Sequence, residues 1–395
     1  MMDRSEQARL CIQSSHSSSS TDRPHAEPIE LSGVWQVDSP DEADRLLSGE
    51  QSGYVYRRDG HPNADSLSQV LGKLHEADEA IMTAQGMSAL AAVALAVLKP
   101  GDSVLLGQPI YGRGNVLFAQ EMARWNIETH NVDACDLKQW EAAMQHQPRL
   151  ALVETITNPR IEVPDLSAIA DIVHTGETLL LVDNTFATPL LCRPLNFGAD
   201  LVMESLSKFV CGHADAMLGL LCGTSAAWSR IVATVSTFGL ASSPLDCWLT
   251  RRGLTTLDVR LQRACENALA LATAIENHPA ISKIDFPGLA SHPHHAVAER
   301  QFDGRFGNML TLHLQGDSNV TPRFVTSLGS DVPFCPSLGE AQTTLSHPCS
   351  TSHRSYSSDQ LSHLGISPNT VRISVGIEQT DWLVERFVAA LNTLG

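Results

Sequence analysis

The sequence has no long apolar run. Its longest uninterrupted one extends from Ala89 to Leu98, well short of the roughly 20 residues that a bilayer-spanning helix needs. Paired cysteines are also missing. The nine present are scattered, with no C-x-x-C and no repeated Cys/His spacing, which argues against a disulfide framework or a zinc site and for reduced thiols in a cytoplasmic protein. Positive charge is scarce, with 27 Lys and Arg against 44 Asp and Glu and a formal net charge of −17. Such a surface repels nucleic-acid phosphates and anionic lipids, so no nucleic acid and no membrane is expected as a partner, and any phosphate site has to be built locally. No Walker A loop, G-x-S-x-G elbow or H-E-x-x-H helix occurs. The stretch His292-Pro293-His294-His295 lacks helical spacing and contains a proline, so it reads as a polar loop and no metal is expected.

What is present suits a soluble globular chain of two or three domains: 395 residues, 43% of them hydrophobic. Residues 1–30 hold the serine run Ser17 to Ser20 amid mixed charges and no apolar core of a secretory signal, and they read as a disordered leader. Beyond residue 65, helical and strand-like segments alternate. Ser66 to His75 has helical spacing, Glu79 to Thr83 reads as a strand, and Gly86 opens an apolar helix that stops at Lys99-Pro100-Gly101-Asp102. Strands at Ser103 to Leu106, Leu150 to Glu154, Leu179 to Val182 and Asp200 to Met203 are separated by helical stretches at Arg113 to Trp125 and Asp165 to His174. This alternation predicts an α/β fold with a mostly parallel sheet covered on both faces. Near residue 245 the rhythm changes to one long helix, Leu254 to Asn277, and a smaller α+β region ending in a helix from Asp381 to Leu394.

Open α/β sheets carry their sites at the carboxyl ends of strands. Asp183 follows the apolar run Leu179 to Val182, and Lys208 follows the strand-like Leu201 to Ser205. An acid and a lysine so placed can share a cleft. Pyridoxal 5′-phosphate chemistry uses such a pair, the lysine to carry the cofactor and move protons, the acid to keep the pyridine nitrogen protonated. Alternatively, the Asp is a cap or turn residue and the Lys a solvated charge. Gln85-Gly86-Met87 joins a strand to a helix whose free amides can hold a phosphate, or it is an ordinary tight turn. Ser205 and Ser207 offer hydroxyls on one face of an extended segment. Arg58 suits a bidentate phosphate contact or is a surface charge, and Tyr111 can stack on a flat ring or is a half-buried aromatic. Arg372 is a charge inside the strand-like Val371-Arg372-Ile373-Ser374. It requires an anionic partner there, either a substrate α-carboxylate or a protein acid.

Together these stretches carry a resemblance. Val182-Asp183-Asn184-Thr185-Phe186-Ala187-Thr188-Pro189, Gly198-Ala199-Asp200, Ser205-Leu206-Ser207-Lys208 and Gly212-His213-Ala214-Asp215 are similar to the D-N-T-F-x-T-P … G-A-D … S-x-[ST]-K … G-H-x-D signature of the Cys/Met-metabolism family of pyridoxal phosphate enzymes. That family includes cystathionine γ-synthase, cystathionine γ- and β-lyases, methionine γ-lyase and O-acylhomoserine sulfhydrylases. Tyr56 to Pro62 resembles its Y-x-R-x-G-N-P with His61 in place of Asn. Ala84 to Ala89, Glu154 to Pro159, Ser337-Leu338-Gly339 and Arg372 to Glu378 resemble further family motifs.

The resemblance runs from about Tyr54 to the end. It implies an aspartate-aminotransferase-like fold with a mostly parallel seven-stranded sheet and a smaller C-terminal α+β domain. The expected division is an arm at 31–64 contacting the neighbouring subunit, a pyridoxal-phosphate-binding large domain at 65–245 and a small domain at 246–395. It also implies a homodimer or homotetramer. By the same resemblance Lys208 bears the cofactor and shuttles protons, Asp183 pairs with the ring nitrogen, and Tyr111 stacks on the ring. Gly86, Met87, Ser205 and Ser207 hold the phosphate, joined by Tyr56 and Arg58 of the neighbouring subunit. Asn158 contacts the ring hydroxyl side, and Arg372 clamps the substrate carboxylate beside Ser337.

Departures from the family pattern fall where substrates are distinguished. Pro336 stands where γ-synthases and γ-lyases carry Glu, and Arg113 where methionine γ-lyases carry Cys. Arg113 is therefore a candidate partner for a negative group at the far end of the substrate, or else a surface arginine. The implied activity is γ-replacement or γ-elimination on homoserine esters or cystathionine, with a cystathionine γ-synthase foremost and a C–S lyase next. A catalytically inactive scaffold is opposed by the presence of both Lys208 and Asp183.

Overall fold

The computed structural model describes residues 2–13, 24–228, 230–354 and 356–394. The larger sheet has seven strands: β1 (Glu79–Thr83), β2 (Ser103–Gln108), β3 (Glu128–Asp133), β4 (Leu150–Glu154), β5 (Leu179–Asp183), β6 (Leu201–Ser205) and β7 (Gly219–Gly223), in the order β1-β7-β6-β5-β4-β2-β3. The run from β6 to β3 is parallel, while β7 is antiparallel to both of its neighbours. The central strands are buried along almost their whole length, as a sheet covered on both faces demands.

Helices supply the two covers. On one side lies Gly86–Val97, whose alanines favour the helix and whose Ala89, Leu90, Val93 and Ala94 are buried against Leu106, Leu181, Leu201 and Leu221. Pro100 and Gly101, the latter at φ +98°, end it. On the other side lies Pro62–His75. Its cap is His61, whose Nδ1 accepts from Ala64 N at 3.2 Å while Nε2 meets Ser242 Oγ. An imidazole thus performs the acceptor role usual for Asn at a helix start. Burial holds that ring's pKa down, at about 4, so it stays neutral.

A second sheet, of β8 (Ile281–Asp285), β9 (Met309–Leu314), β10 (Thr344–Ser346) and β11 (Thr370–Ser374), is antiparallel throughout in the order β10-β11-β9-β8. It shares a separate core with the helices Leu257–Ile275, Val320–Leu328 and Thr380–Asn392. The long helix expected from Leu254 begins at Leu257. A preceding helix, Pro244–Leu254, is set off by Thr255 and Thr256, whose hydroxyls bond back to Arg252 O and Gly253 O.

The disordered leader expected at 1–30 is corrected by the structure. Arg4–Ile12 is a helix capped by Asp3, with Gln7, Leu10 and Cys11 buried. Their i, i+3, i+4 spacing forms a narrow buried face within a polar stretch, and the buried Arg251 bonds to Cys11 O at 2.9 Å. Further on, Trp248 Nε1 donates to Glu27 O and Glu30 N to Asn63 Oδ1. The serine run Ser17 to Ser20 lies outside the described residues.

Candidate active site

The carboxyl ends of β4 and β5 bring Glu154 and Asp183 side by side, and β6 places Met203 opposite Asp183 and ends two residues on at Ser205. A cavity of about 580 Å³ opens over them. Of the residues singled out from the sequence, Lys208, Asp183, Tyr111, Gly86, Met87, Ser205, Ser207, Asn158, Arg372, Ser337 and Arg113 all line it. Tyr56 and Arg58 do not. Tyr56 is half exposed and bridges to Val34, and the Arg58 guanidinium lies 5.0 Å from the Tyr56 ring centroid.

At the cavity floor Asp183 Oδ1 accepts from Thr185 N at 3.0 Å. Burial raises its pKa to about 6 against the lowering effect of Thr185, and the nearby Glu204 charge adds to the rise. Glu154 stands beside it and accepts from Tyr111 N at 2.6 Å and from Asn158 N at 3.0 Å. Its pKa is pushed well up by burial first and by the Asp183 charge second. One carboxylate thereby fixes the positions of both Tyr111 and Asn158.

Lys208 follows β6 in a tight turn, and its Nζ lies 3.3 Å from Ser337 Oγ. Burial is the first cause that lowers its pKa, with the Arg372 charge adding and Glu340 opposing. The Ser337-Leu338-Gly339 segment reaches the lysine because Gly339 has φ +86° and no side chain. A Cβ there would meet Phe209 N at 2.6 Å and Lys208 C at 2.8 Å.

Arg372, on β11, is only 5% exposed. It donates to Asn158 Oδ1 and Ser337 O, both at 3.0 Å, while its Nε has no partner. Both acceptors are neutral, and no acid pairs with the guanidinium among the described residues. Burial lowers its pKa to about 10, still cationic at neutral pH. Among the described residues the protein-acid alternative for its partner is therefore absent, and Arg372 lines the cavity as a buried cation without a carboxylate.

At the opposite wall the helix Gly86–Val97 starts with no side-chain cap. A Cβ at Gly86 would lie 2.9 Å from Ser205 Cβ and 3.1 Å from its Cα, so the glycine lets the helix start approach the serine. Uncapped amides, a helix dipole and the hydroxyls of Ser205 and Ser207 make a cradle for a dianion, although Ser207 Oγ is also engaged with Leu218 N at 3.0 Å. The donor set fits pyridoxal 5′-phosphate: an amine at the centre, an acid on the floor, an anion cradle on one side and an arginine on the other.

Several neighbours of this set carry no signal strong enough to be found in the chain alone. Thr185 Oγ1 accepts from Ser205 N at 2.9 Å and ties β5 to β6. Glu340 keeps a buried, unpartnered Oε2 and affects both Lys208 and Arg372. Residues 350–354 close the mouth, with Ser350, Thr351, Ser352 and Arg354 on the lining. Glu154 was visible as part of the E-x-x-x-N-P stretch, but its role as organiser depends on the strand register.

Such a site in a seven-stranded α/β sheet defines a pyridoxal 5′-phosphate enzyme. The chain belongs to the family described as Cys/Met metabolism PLP-dependent enzymes, which it matches over residues 8–392. It is 34% identical over 370 residues to the O-succinylhomoserine sulfhydrylase of Pseudomonas aeruginosa, covering 94% of this chain and 91% of the relative. It is 33% identical over 362 residues to the L-methionine γ-lyase of Fusobacterium nucleatum subsp. polymorphum, covering 91% of each. Among solved structures, cystathionine γ-synthase from Xanthomonas oryzae pv. oryzae in complex with cystathionine superposes with a TM-score of 0.92 at 32% identity, covering 98% of this chain and 97% of that one. The protein is thus a PLP-dependent transferase or lyase of sulfur amino-acid metabolism, acting on amino acids. No helix among the described residues is long and apolar enough to cross a membrane.

Proposed function

We propose that the protein performs γ-replacement on a homoserine ester, as a cystathionine γ-synthase does, with γ-elimination from the same site as its side reaction. The observation that carries this reading is the meeting of Lys208, Asp183 and Arg372, which has no acid partner among the described residues, around one cavity. Arg372 takes the substrate α-carboxylate and leaves the α-amine and side chain pointing past Lys208. Asp183 holds the ring nitrogen, Tyr111 stacks on the ring, and Gly86, Met87, Ser205 and Ser207 hold the phosphate. Asn158 has its carbonyl oxygen committed to Arg372 and offers its amide N–H to the ring hydroxyl side.

Bound there, pyridoxal phosphate supplies an electron sink that stabilises negative charge on the substrate carbon skeleton. The chain supplies the proton movement. Burial favours the neutral amine of Lys208, which suits it to take the α-proton and return it nearer the side chain. Ser337 Oγ, within reach of that amine, steadies its position between the two tasks.

Tyr56 and Arg58 lie outside this cavity, and we assign them to the phosphate of a neighbouring subunit, which makes the active unit a homodimer or a homotetramer of such dimers. By the same reading 31–64 is the exchanged arm, 65–245 the cofactor domain and 246–395 the small domain. The cytoplasm is the proposed compartment.

A substrate panel tests the function. O-acylhomoserines with and without a thiol, cystathionine, methionine and cysteine are offered, and thioether and 2-oxo acid products are measured. Thioether formation from an ester and a thiol is expected to dominate. Release of a 2-oxo acid from cystathionine alone, with no replacement product, would make the protein a C–S lyase instead.

A further inference from the structure

We propose that Arg113 and Arg354 together form a second anion site at the cavity mouth, which selects amino acids whose side chain ends in a negative charge. The idea rests on the reading of Arg372 as the α-carboxylate clamp, since it needs the first anion to be held elsewhere.

Both arginines line the cavity, and neither has a side-chain hydrogen bond or ion pair among the described residues. In a chain with 44 acids and 27 basic residues, two guanidiniums at one opening without a carboxylate partner stand out.

The two segments that carry them touch through the backbone. A Cβ on Gly112 would lie 2.7 Å from Ser352 O, so the segment holding residues 350–354 rests directly on the start of the helix Gly112–Val116. His353 is fully buried, bonded through Nδ1 to Ser352 Oγ at 2.9 Å, with its ring 5.3 Å from that of Tyr356. This anchor pins the segment, and the residues on either side of it, Ser352 and Arg354, reach the lining. Arg113 and Arg354 thus flank a single backbone contact.

The distribution of acids completes the argument. Among the described residues the only carboxylates on the lining are Glu154 and Asp183, and both belong to the floor, at the ends of β4 and β5. A substrate with a distal ammonium finds no counter-charge at the mouth. A distal carboxylate or phosphate finds two guanidinium forks, which suit either oxyanion, and the hydroxyls of residues 350–352. The shared ligand chemistry is an α-amino acid carrying a terminal oxyanion, from a dicarboxylic acyl ester or a phosphate ester.

The test is equilibrium binding to the holoenzyme by titration calorimetry, with unreactive probes. L-2-aminosuberate and L-2-aminooctanoate share chain length and differ in the terminal carboxylate, and L-2-amino-7-phosphonoheptanoate replaces that carboxylate by a phosphonate. The wild type is expected to bind at least one anionic probe about 10- to 100-fold more tightly than aminooctanoate. The order of the two anionic probes then assigns the acyl or the phosphate source. In the Arg113→Met/Arg354→Met double variant the ratio falls to near one. Equal binding of all three probes by the wild type overturns the proposal, and so does a ratio that survives the double substitution. Arg252→Met removes an exposed charge outside the lining and is expected to keep the ratio; its loss there would trace the preference to net charge and overturn the site. Failure to turn over any homoserine ester while the ratio persists would remove the proposed function and leave the anion site standing.

Discussion

Glu154 and Asp183 are register partners at the carboxyl ends of the neighbouring parallel strands β4 and β5. Burial raises the pKa of both; the Asp183 charge raises that of Glu154 further, and the Glu204 charge adds to the rise of Asp183. The two have different tasks. Glu154 is spent on the backbone amides of Tyr111 and Asn158, whereas Asp183 opens to the cavity and is free to meet a cationic ring nitrogen.

This relationship predicts a pH effect on the cofactor-free protein. A carboxyl whose folded pKa stands above its unfolded value of 3.8 stabilises the fold at low pH, and that contribution is lost as pH rises through about 6. Asp183→Asn is therefore expected to stabilise the apo form at pH 7.5 by about 1–3 kcal/mol, with the gain vanishing near pH 4. Urea unfolding at the two pH values measures it. The same variant as holoenzyme should lose kcat by at least ~100-fold.

Lys208→Ala is expected to abolish borohydride trapping of the cofactor on the chain and to lower turnover by ~10²–10⁴-fold from the missing proton transfer alone. Peptide mapping after reduction of the wild type should place the modified residue at 208. A label found on another lysine would sink the assignment.

Arg372→Lys keeps the charge and loses the fork. With two neutral acceptors already on the guanidinium, an ammonium cannot serve them and a carboxylate together. KM for the amino-acid substrate should rise about 10- to 100-fold, with a smaller change in kcat.

Gly339→Ala tests the approach of the Ser337 segment to the lysine. Its positive φ and the 2.6 Å clash with Phe209 N predict a loss of about 1–3 kcal/mol. Displacement of Ser337 from Lys208 should also alter the pH dependence of kcat, which a variant with a purely global loss of stability would leave in place.

Behind the sheet, His75 Nε2 lies 3.1 Å from Glu204 Oε1 with both side chains buried, in a geometry that makes no hydrogen bond. Asn184 Nδ2 donates to the same oxygen at 2.8 Å, and Asn184 adjoins Asp183 in the chain. Breaking such a pair from one side is expected to cost about 3–5 kcal/mol. Glu204→Leu and His75→Leu should each be destabilising, and the double variant less so than their sum. Denaturant titrations arranged as a double-mutant cycle give the coupling.

The rhythm of the large sheet was legible in the chain because each buried parallel strand is a short apolar run bounded by turn residues. β3 and β7 were not. Glu128–Asp133 is a polar edge strand, and Gly219–Gly223 is bounded by glycines that sit where no Cβ fits against Gln85 O and Asp200 O. The docked helix Arg4–Ile12 escaped notice for a related reason. Its buried face is small, and what satisfies it, Arg251, lies 240 residues away.

The amino-acid sequence by itself determined the cofactor chemistry through its resemblance to a known family, because the motifs that hold the acid, the lysine and their flanking hydroxyls are short contiguous stretches. Only the tertiary structure decided what surrounds them. The pairing of Glu154 with Asp183, the bonds of Arg372 to Asn158 and Ser337 and the approach of Ser352 to Gly112 join residues that are distant in the chain. Such contacts are set by strand register and by the packing of one sheet's loops over another, which no local pattern of residues encodes.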